Sequence, residues 1–377
     1  MNIPIFELKR QYSQIKDEVD HAVKTVLKQG MFTLGPQVRE FEQEFADYLN
    51  IYHAVGVASG TDALTLALKA LDIKSGDEVM IPANAYPTAF GVALSGCRII
   101  LSDCGEDGNI SLTDIQKRIT KKTKVIVPVH LYGNPADIIG IRTMINNSKK
   151  DMAILEDAAQ AHGAMIRDGS VWRKAGTFGD VGIFSFYPSK NMGAYGDGGM
   201  IVTDKSGIHK KLVMLRMYGE SSRYHSEMIS GVSRLDELQA AILRVKLKYL
   251  DEWNAKRGEI AEYYQRELQG VGDIRIISKS KIQNQNSADS KSCHHLFVIR
   301  TKKRDALQKY LTGHEVGCGI HYPVTVHLTP SFKNLGYKKG DFPEAEAQAS
   351  EVLSLPIYPE LKHQEMETVV SAVKRFF

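Results

Sequence analysis

From His53 onward the chain alternates short apolar runs with amphipathic stretches, and this pattern restricts it to a mainly parallel sheet covered by helices. The apolar runs are Ala54 to Ala58, Glu78 to Pro82, Cys97 to Ser102, Lys124 to Val129, Met152 to Leu155, Val181 to Phe186 and Met200 to Thr203. Most are separated by helical stretches. The first of these opens at Ser59-Gly60-Thr61-Asp62 and carries Ala63, Leu64, Ala67, Leu68 and Leu71. The expected fold class is α/β, with ligands beyond the carboxyl ends of the strands.

A chain of 377 residues exceeds one ordinary core, so two domains are expected. The reading is a lead-in over 1–30, a large domain over 31–245 and a smaller C-terminal domain over 246–377. Ile15, Val19, Val23 and Val26 give one apolar face to a helix over 13–28, and a second helix begins after Gly35-Pro36. A long helical stretch over 234–268, expected to break at Gly258, leads into the second domain. Ser278 to Ser292 is polar and reads as an exposed mobile loop. A strand over His294 to Arg300, a helix over Arg304 to Thr312 and a strand end at Gly319 to Pro323 follow.

Composition excludes several classes. With 43% hydrophobic and 24% charged residues the chain is globular, and a net charge of +4 is too small for a dedicated nucleic-acid binder. The four cysteines, at 97, 104, 293 and 318, form no close pair of the kind a zinc site or redox motif uses, so free thiols in a reducing cytosol are expected. No metal site is expected. No window reaches the apolar length that spans a bilayer, and the N-terminal apolar run is too short for a signal peptide. A cytoplasmic protein is the expectation.

One lysine stands between two unlike kinds of sequence. Val181 to Phe186 reads as a buried strand, Pro188 fixes the backbone, and glycines at 193, 196, 198 and 199 permit tight turns afterwards. Lys190 lies between. It reads either as a solvated surface lysine or as an amine at the end of a buried strand, where an apolar site lowers proton affinity and creates a carbonyl nucleophile.

Two further segments fall at strand ends. Ser59-Gly60-Thr61-Asp62 reads either as an ordinary N-cap or as an anion site, with helix amides and two hydroxyls around a glycine. Glu156-Asp157-Ala-Ala-Gln160-Ala-His162 follows the Met152 strand. Its carboxylate either caps a helix or holds a heteroaromatic nitrogen in the protonated form.

Together the lysine, the anion turn and the acidic segment resemble the DegT-type nucleotide-sugar aminotransferases, a branch of the fold-type I enzymes that use pyridoxal 5'-phosphate. The likeness extends through Gly30-Met-Phe-Thr-Leu-Gly-Pro36, Pro82-Ala-Asn-Ala-Tyr86, Ser233-Arg-Leu-Asp236, His321-Tyr322-Pro323 and Leu353-Ser-Leu-Pro-Ile-Tyr-Pro359. It implies an aspartate-aminotransferase-like large domain and a smaller α+β domain. By resemblance, Lys190 is the Schiff-base lysine and Asp157 the partner of the pyridine nitrogen. Tyr86 is the ring-stacking aromatic, Gln160 the neighbour of the phenolic oxygen, and Gly60, Thr61 and Ser185 the phosphate cradle. Tyr187, His321 and Tyr322 fall where the family places its sugar pocket, and Lys9 and Arg10 near its nucleotide. A homodimer with shared active sites is implied too. Val232 departs from the pattern, since the family commonly has an asparagine there that reaches the partner's cofactor phosphate; Ser233 or another group is the expected replacement.

The implied activity moves an amino group from glutamate to a keto-sugar nucleotide. Phe6-Glu-Leu-Lys-Arg-Gln-Tyr12 resembles members acting on thymidine-diphosphate 3-keto-6-deoxyhexoses, in routes to amino sugars of lipopolysaccharide or other glycans. A 4-keto aminotransferase is the alternative. A dehydratase or a regulatory protein on the same scaffold is disfavoured, because dehydratases replace the lysine and Lys190, Asp157 and Tyr86 are all present.

Overall fold

The computed structural model describes residues 2–148, 151–277 and 289–377. Each apolar run named above becomes a strand. These are β1 (His53–Val57), β2 (Glu78–Pro82), β3 (Arg98–Ser102), β4 (Thr123–Ile126), β5 (Ala153–Asp157), β8 (Val181–Ser185) and β9 (Gly199–Thr203). Between β5 and β8 lies a hairpin absent from the sequence reading, β6 (Met165–Asp168) with β7 (Val171–Lys174).

The seven strands form one sheet in the order β1-β9-β8-β5-β4-β2-β3. The run from β3 to β8 is parallel, while β9 lies antiparallel to both β8 and β1. No helix intervenes between β8 and β9 to carry the chain back along the sheet, so β9 enters in the opposite direction.

Both faces of this sheet are buried, which explains why its strands read as continuous apolar runs. Met80, Ile100, Ile126 and Phe184 face one layer, where they meet Phe41 and Phe45 of the helix Pro36–Leu49. Val79, Leu101, Val125 and Ile183 face the other, against Leu64 and Leu68 of the helix Gly60–Ala70. Each such fully buried side chain contributes about 1.5–3 kcal/mol relative to exposure.

A second, antiparallel sheet joins Arg275–Ile276, Phe297–Arg300 and Val352–Leu355. Helices Leu250–Leu268, Arg304–Gly313 and His363–Phe376 contribute Tyr264, Leu307, Leu311 and Val369 to its core.

Packing cuts across the expected domain boundaries at 30 and 246. Ile3 sits in the core of the second sheet and bridges to Val316. Ile15 and Val19 instead pack on Ile242, Val245 and Trp253. Conversely, Val326, Phe332, Phe342 and Ala345 return to the core of the first sheet. Other expectations also shift. The first helix runs from Leu8 to Gln29 rather than over 13–28. Gly258 lies inside Leu250–Leu268, and the helical stretch breaks instead at Lys248 and Tyr249. A lone glycine costs a helix only about 1 kcal/mol against alanine, too little to end one with a packed apolar face. Gly319 makes a single bridge to Ser354 and no strand. Of the polar segment expected to be a mobile loop, 278–288 lies outside the described residues, and Ser290–Lys291 pairs with β6 through main-chain hydrogen bonds that need no apolar side chains. Among the described residues, no helix is long and apolar enough to cross a membrane.

Candidate active site

The carboxyl ends of β5 and β8 open onto a cavity of about 480 Å³. Gly60, Asp157 and Lys190 line it from the first sheet, and His321, Tyr322 and Ile357 line it from the side of the second.

The turn that presents Lys190 is held from several directions. Its own amide donates to the Tyr187 carbonyl at 2.8 Å, and a Cβ on Gly193 would come within 2.2 Å of the Pro188 carbonyl oxygen. Only glycine closes that turn. Asn191 Nδ2 donates to Asn254 Oδ1 and to the Cys293 carbonyl, both at 2.8 Å. Buried Lys246 donates to the Gly193 carbonyl at 2.6 Å from above the Tyr195 ring. Burial lowers the Lys190 amine to about 8, opposed by the nearby Asp157 carboxylate. A substantial neutral fraction near neutral pH is what a nucleophilic or proton-carrying amine needs.

Alternation along β5 separates the two neighbouring acids. The Glu156 carboxylate is fully buried behind the strand, where it accepts from the amides of Gly176, Phe178 and Gly179 and pairs with His130 Nε2 at 3.0 Å. It organises a loop. Asp157 points into the cavity instead, accepting from Thr88 Oγ1 at 2.7 Å and from the Ala159 amide at 3.1 Å. Burial raises its carboxyl above the usual range against these hydrogen bonds and the field of Lys190. It therefore carries unspent capacity for a cationic or N–H partner. His162 faces the ring of Phe184 rather than the cavity, and burial pushes it down to about 3.

The Ser59 turn is an N-cap at the edge of the cavity. Ser59 Oγ accepts from the Asp62 amide at 3.1 Å, while the first amides of the helix have no intrahelical acceptor. Gly60 lies so close to β8 that a Cβ would fall 2.8 Å from Ser185 Cβ. Gly60→Ala is accordingly expected to push the turn from Ser185 and weaken cofactor affinity about 10- to 100-fold, the scale of an overpacked contact, as read by equilibrium dialysis. Thr61 and Ser185 line the same end of the cavity. Ser233 reaches this turn within its own chain: its hydroxyl accepts from the Ala58 amide at 3.1 Å and donates to Asp62 Oδ2 at 2.8 Å. Val232, by contrast, is exposed.

The remaining expected residues divide. Gln160 and Tyr322 line the cavity and meet at 3.2 Å, with Gln160 Oε1 also accepting from the Tyr132 amide at 2.6 Å. The Tyr86 ring stands 6.2 Å from that of Tyr322. Tyr187 lines the mouth, and His321 is oriented by Ser354 Oγ at 2.9 Å from Nδ1. Lys9 and Arg10 do not reach the cavity. Arg10 is drawn away into a bidentate pair with Glu365 at 2.8 and 2.7 Å, and Lys9 is exposed on the helix that begins at Leu8. Ile5 and Phe6 line the cavity in their place.

Several lining residues escaped the sequence reading, Thr88, His295 and Arg257 among them. Asn191 Oδ1 lies 3.1 Å from His295 Nδ1, and since Nδ2 of Asn191 is already a donor, this contact assigns the ring proton to Nδ1. Burial keeps that imidazole neutral.

The description of the DegT/DnrJ/EryC1/StrS aminotransferase family matches residues 13–374. The chain belongs to this family. It is an aminotransferase, and pyridoxal 5'-phosphate is its cofactor. The enzyme is 40% identical over 376 residues to a dTDP-3-amino-3,4,6-trideoxy-alpha-D-glucose transaminase of Streptomyces venezuelae, covering 99% of this chain and 96% of the relative. The crystal structure of DesV from S. venezuelae superposes with a TM-score of 0.93 at 40% identity, covering 100% of this chain and 98% of the other. NtdA of Bacillus subtilis, solved with bound cofactor PMP, gives a TM-score of 0.88 at 30% identity, over 100% of this chain and 85% of that one. The aminotransferase fold is thus the fold-type I, α/β arrangement. The cavity fits the cofactor on its own chemistry: a cradle that a Cβ would fill, a buried carboxylate without a cation in hydrogen-bond contact, and an amine with lowered proton affinity.

Proposed function

We propose that this aminotransferase transfers the amino group of glutamate to a thymidine-diphosphate 3-keto-6-deoxyhexose. The carrying observation is that the Lys190 amine and the Asp157 carboxylate face one cavity in a chain whose relative of 40% identity is a dTDP-3-amino sugar transaminase. The cofactor, when bound, supplies an electron sink for the carbon that loses or gains a proton.

The chain's own residues do the rest. Gly60, Thr61 and Ser185 would hold the phosphate group, with the helix amides directed at its charge. Asp157, fixed by Thr88 and the Ala159 amide, would accept a hydrogen bond from the protonated ring nitrogen. Gln160 would lie beside the phenolic oxygen, and Tyr86 would cover a ring face. The Lys190 amine would hold the cofactor and, when free, move protons within the cavity. Tyr187, His321 and Tyr322 take the sugar, His321 being held by Ser354.

Each site is shared with a second copy of the chain. Tyr218, Tyr224, Ile229 and Val232 expose apolar surface within one short segment, and Ile229 is 96% exposed. That segment runs directly into Ser233 at the cofactor turn. The expected result in sedimentation is a dimer at assay concentration. Ile229→Asp with Tyr224→Asp should shift it toward monomer and lower activity in parallel; a fully active wild-type monomer contradicts the shared site.

We assign the enzyme to the cytoplasm, with its soluble substrates. The acceptor is tested with glutamate and a panel of keto-sugar nucleotides. The thymidine-linked 3-keto sugar should exceed the 4-keto isomer about 100-fold or more in kcat/KM, since sites built to hydrogen-bond a substrate discriminate strongly. A preference for the 4-keto compound overturns the assignment.

A further inference from the structure

We infer that Arg257 binds a carboxylate of the amino donor, and so sets the preference for a carboxylate-bearing donor; this rests on the glutamate-dependent transamination proposed above. Among the described residues lining the cavity, Lys190 and Arg257 are the cationic side chains, and Lys190 is committed to the cofactor. Glutamate brings two negative charges into this space. Its recognition needs a permanent cation, and arginine presents its donors in a planar fork suited to carboxylates.

Arg257 projects from the helix Leu250–Leu268 and is 5% exposed. Its Nη1 is held by three backbone carbonyls, of Ile357 at 2.9 Å and of His294 and His295 at 3.4 Å. These contacts fix the guanidinium without neutralising it. Nε has no hydrogen-bond partner, and Arg257 forms no ion pair among the described residues. Glu360 acts on it only through space, and that carboxylate also feels Lys246 and Lys256. Burial lowers Arg257 to about 10, and the fields of Cys293 and Glu360 oppose that shift only in part. A buried, pocket-lining guanidinium with no anion in hydrogen-bond contact among the described residues is costly unless a ligand supplies one.

The site also distinguishes among anions. The cofactor phosphate has its own cradle at Gly60 and Thr61. A sugar diphosphate carries a nucleoside and must lie at the open mouth by Tyr187, which is 55% exposed, whereas Arg257 is 5% exposed and lines the cavity together with His295, Leu296 and Ile357. A small carboxylate suits that buried position.

The test separates the two half-reactions in the holoenzyme, followed by cofactor absorbance in stopped flow. Arg257→Gln should reduce the efficiency of the glutamate half-reaction about 30- to 100-fold, the scale of a charged hydrogen bond lost from a buried site. The affinity of the amine-form enzyme for 2-oxoglutarate should fall in parallel, and the half-reaction with the keto-sugar nucleotide should stay within about threefold. Arg257→Lys, which keeps the cation, should recover part of the glutamate rate. Because Arg257→Gln removes Nη1 from three carbonyls and can weaken the fold, the wild-type enzyme gives an independent reading. Glutamate methyl-esterified at the α- or the γ-carboxylate should show one ester slowed about 30- to 100-fold. Full rates with both esters, unchanged glutamate kinetics in Arg257→Gln, or equal losses in both half-reactions overturn the inference. If wild-type enzyme transaminates the sugar but not from glutamate, the donor reading itself fails, and Arg257 with it.

Discussion

Lys190→Ala is expected to lower multiple-turnover transamination by about 10⁴-fold or more, because one amine both binds the cofactor and moves protons after substrate displaces it. The turn around it should survive. Asn191, Lys246 and the Lys190 amide make its anchoring hydrogen bonds, and the substitution touches none of them. Borohydride should accordingly fix cofactor to the wild-type chain at residue 190 and leave the variant unlabelled. The same amine predicts the pH profile. Burial holds it near 8, so the neutral form that accepts a proton grows as pH rises. The glutamate half-reaction should accelerate through about that pH and level off above it. Sustained turnover by Lys190→Ala without added small amines would remove the assignment.

Asp157→Asn is expected to retain cofactor and lose about 10²- to 10⁴-fold in kcat/KM. The amide oxygen can still accept from the Ala159 amide, while the amide nitrogen meets Thr88 Oγ1, whose hydroxyl can turn to accept from it, so local geometry persists. It cannot carry the negative charge that keeps a ring nitrogen protonated. Cofactor occupancy measured alongside kcat/KM separates the two effects. Near-normal turnover at full occupancy would assign the electrostatic role elsewhere.

The strands of the large sheet were legible because both of its faces are buried and seven apolar runs mark them. Lys190 and Asp157 were legible for a related reason: each closes or follows a buried strand, where a charged side chain stands out. Contacts made across the fold left less trace. Arg257 looks like any helical arginine until Ile357, a hundred residues on, accepts from it, and Thr88 is an ordinary helix residue until Asp157 meets it. Arg10 misled in the opposite direction, since nothing in its own neighbourhood announces Glu365 at a separation of 355 residues. Packing remote in sequence left as little trace, since Ile3 sits in the core of the second sheet and Phe332 in that of the first. Ser290–Lys291 is polar enough to resemble loop, yet a strand edge asks only for its backbone.

The most direct measurement adds ¹⁵N-glutamate to the cofactor-loaded enzyme without any sugar. The account predicts one 2-oxoglutarate released per active site in a single burst, with the nitrogen retained on the enzyme. Subsequent addition of the 3-keto sugar nucleotide, after removal of free glutamate, should deliver that nitrogen to the sugar. Release of 2-oxoglutarate only when sugar is present, or no nitrogen in the product sugar, would contradict it.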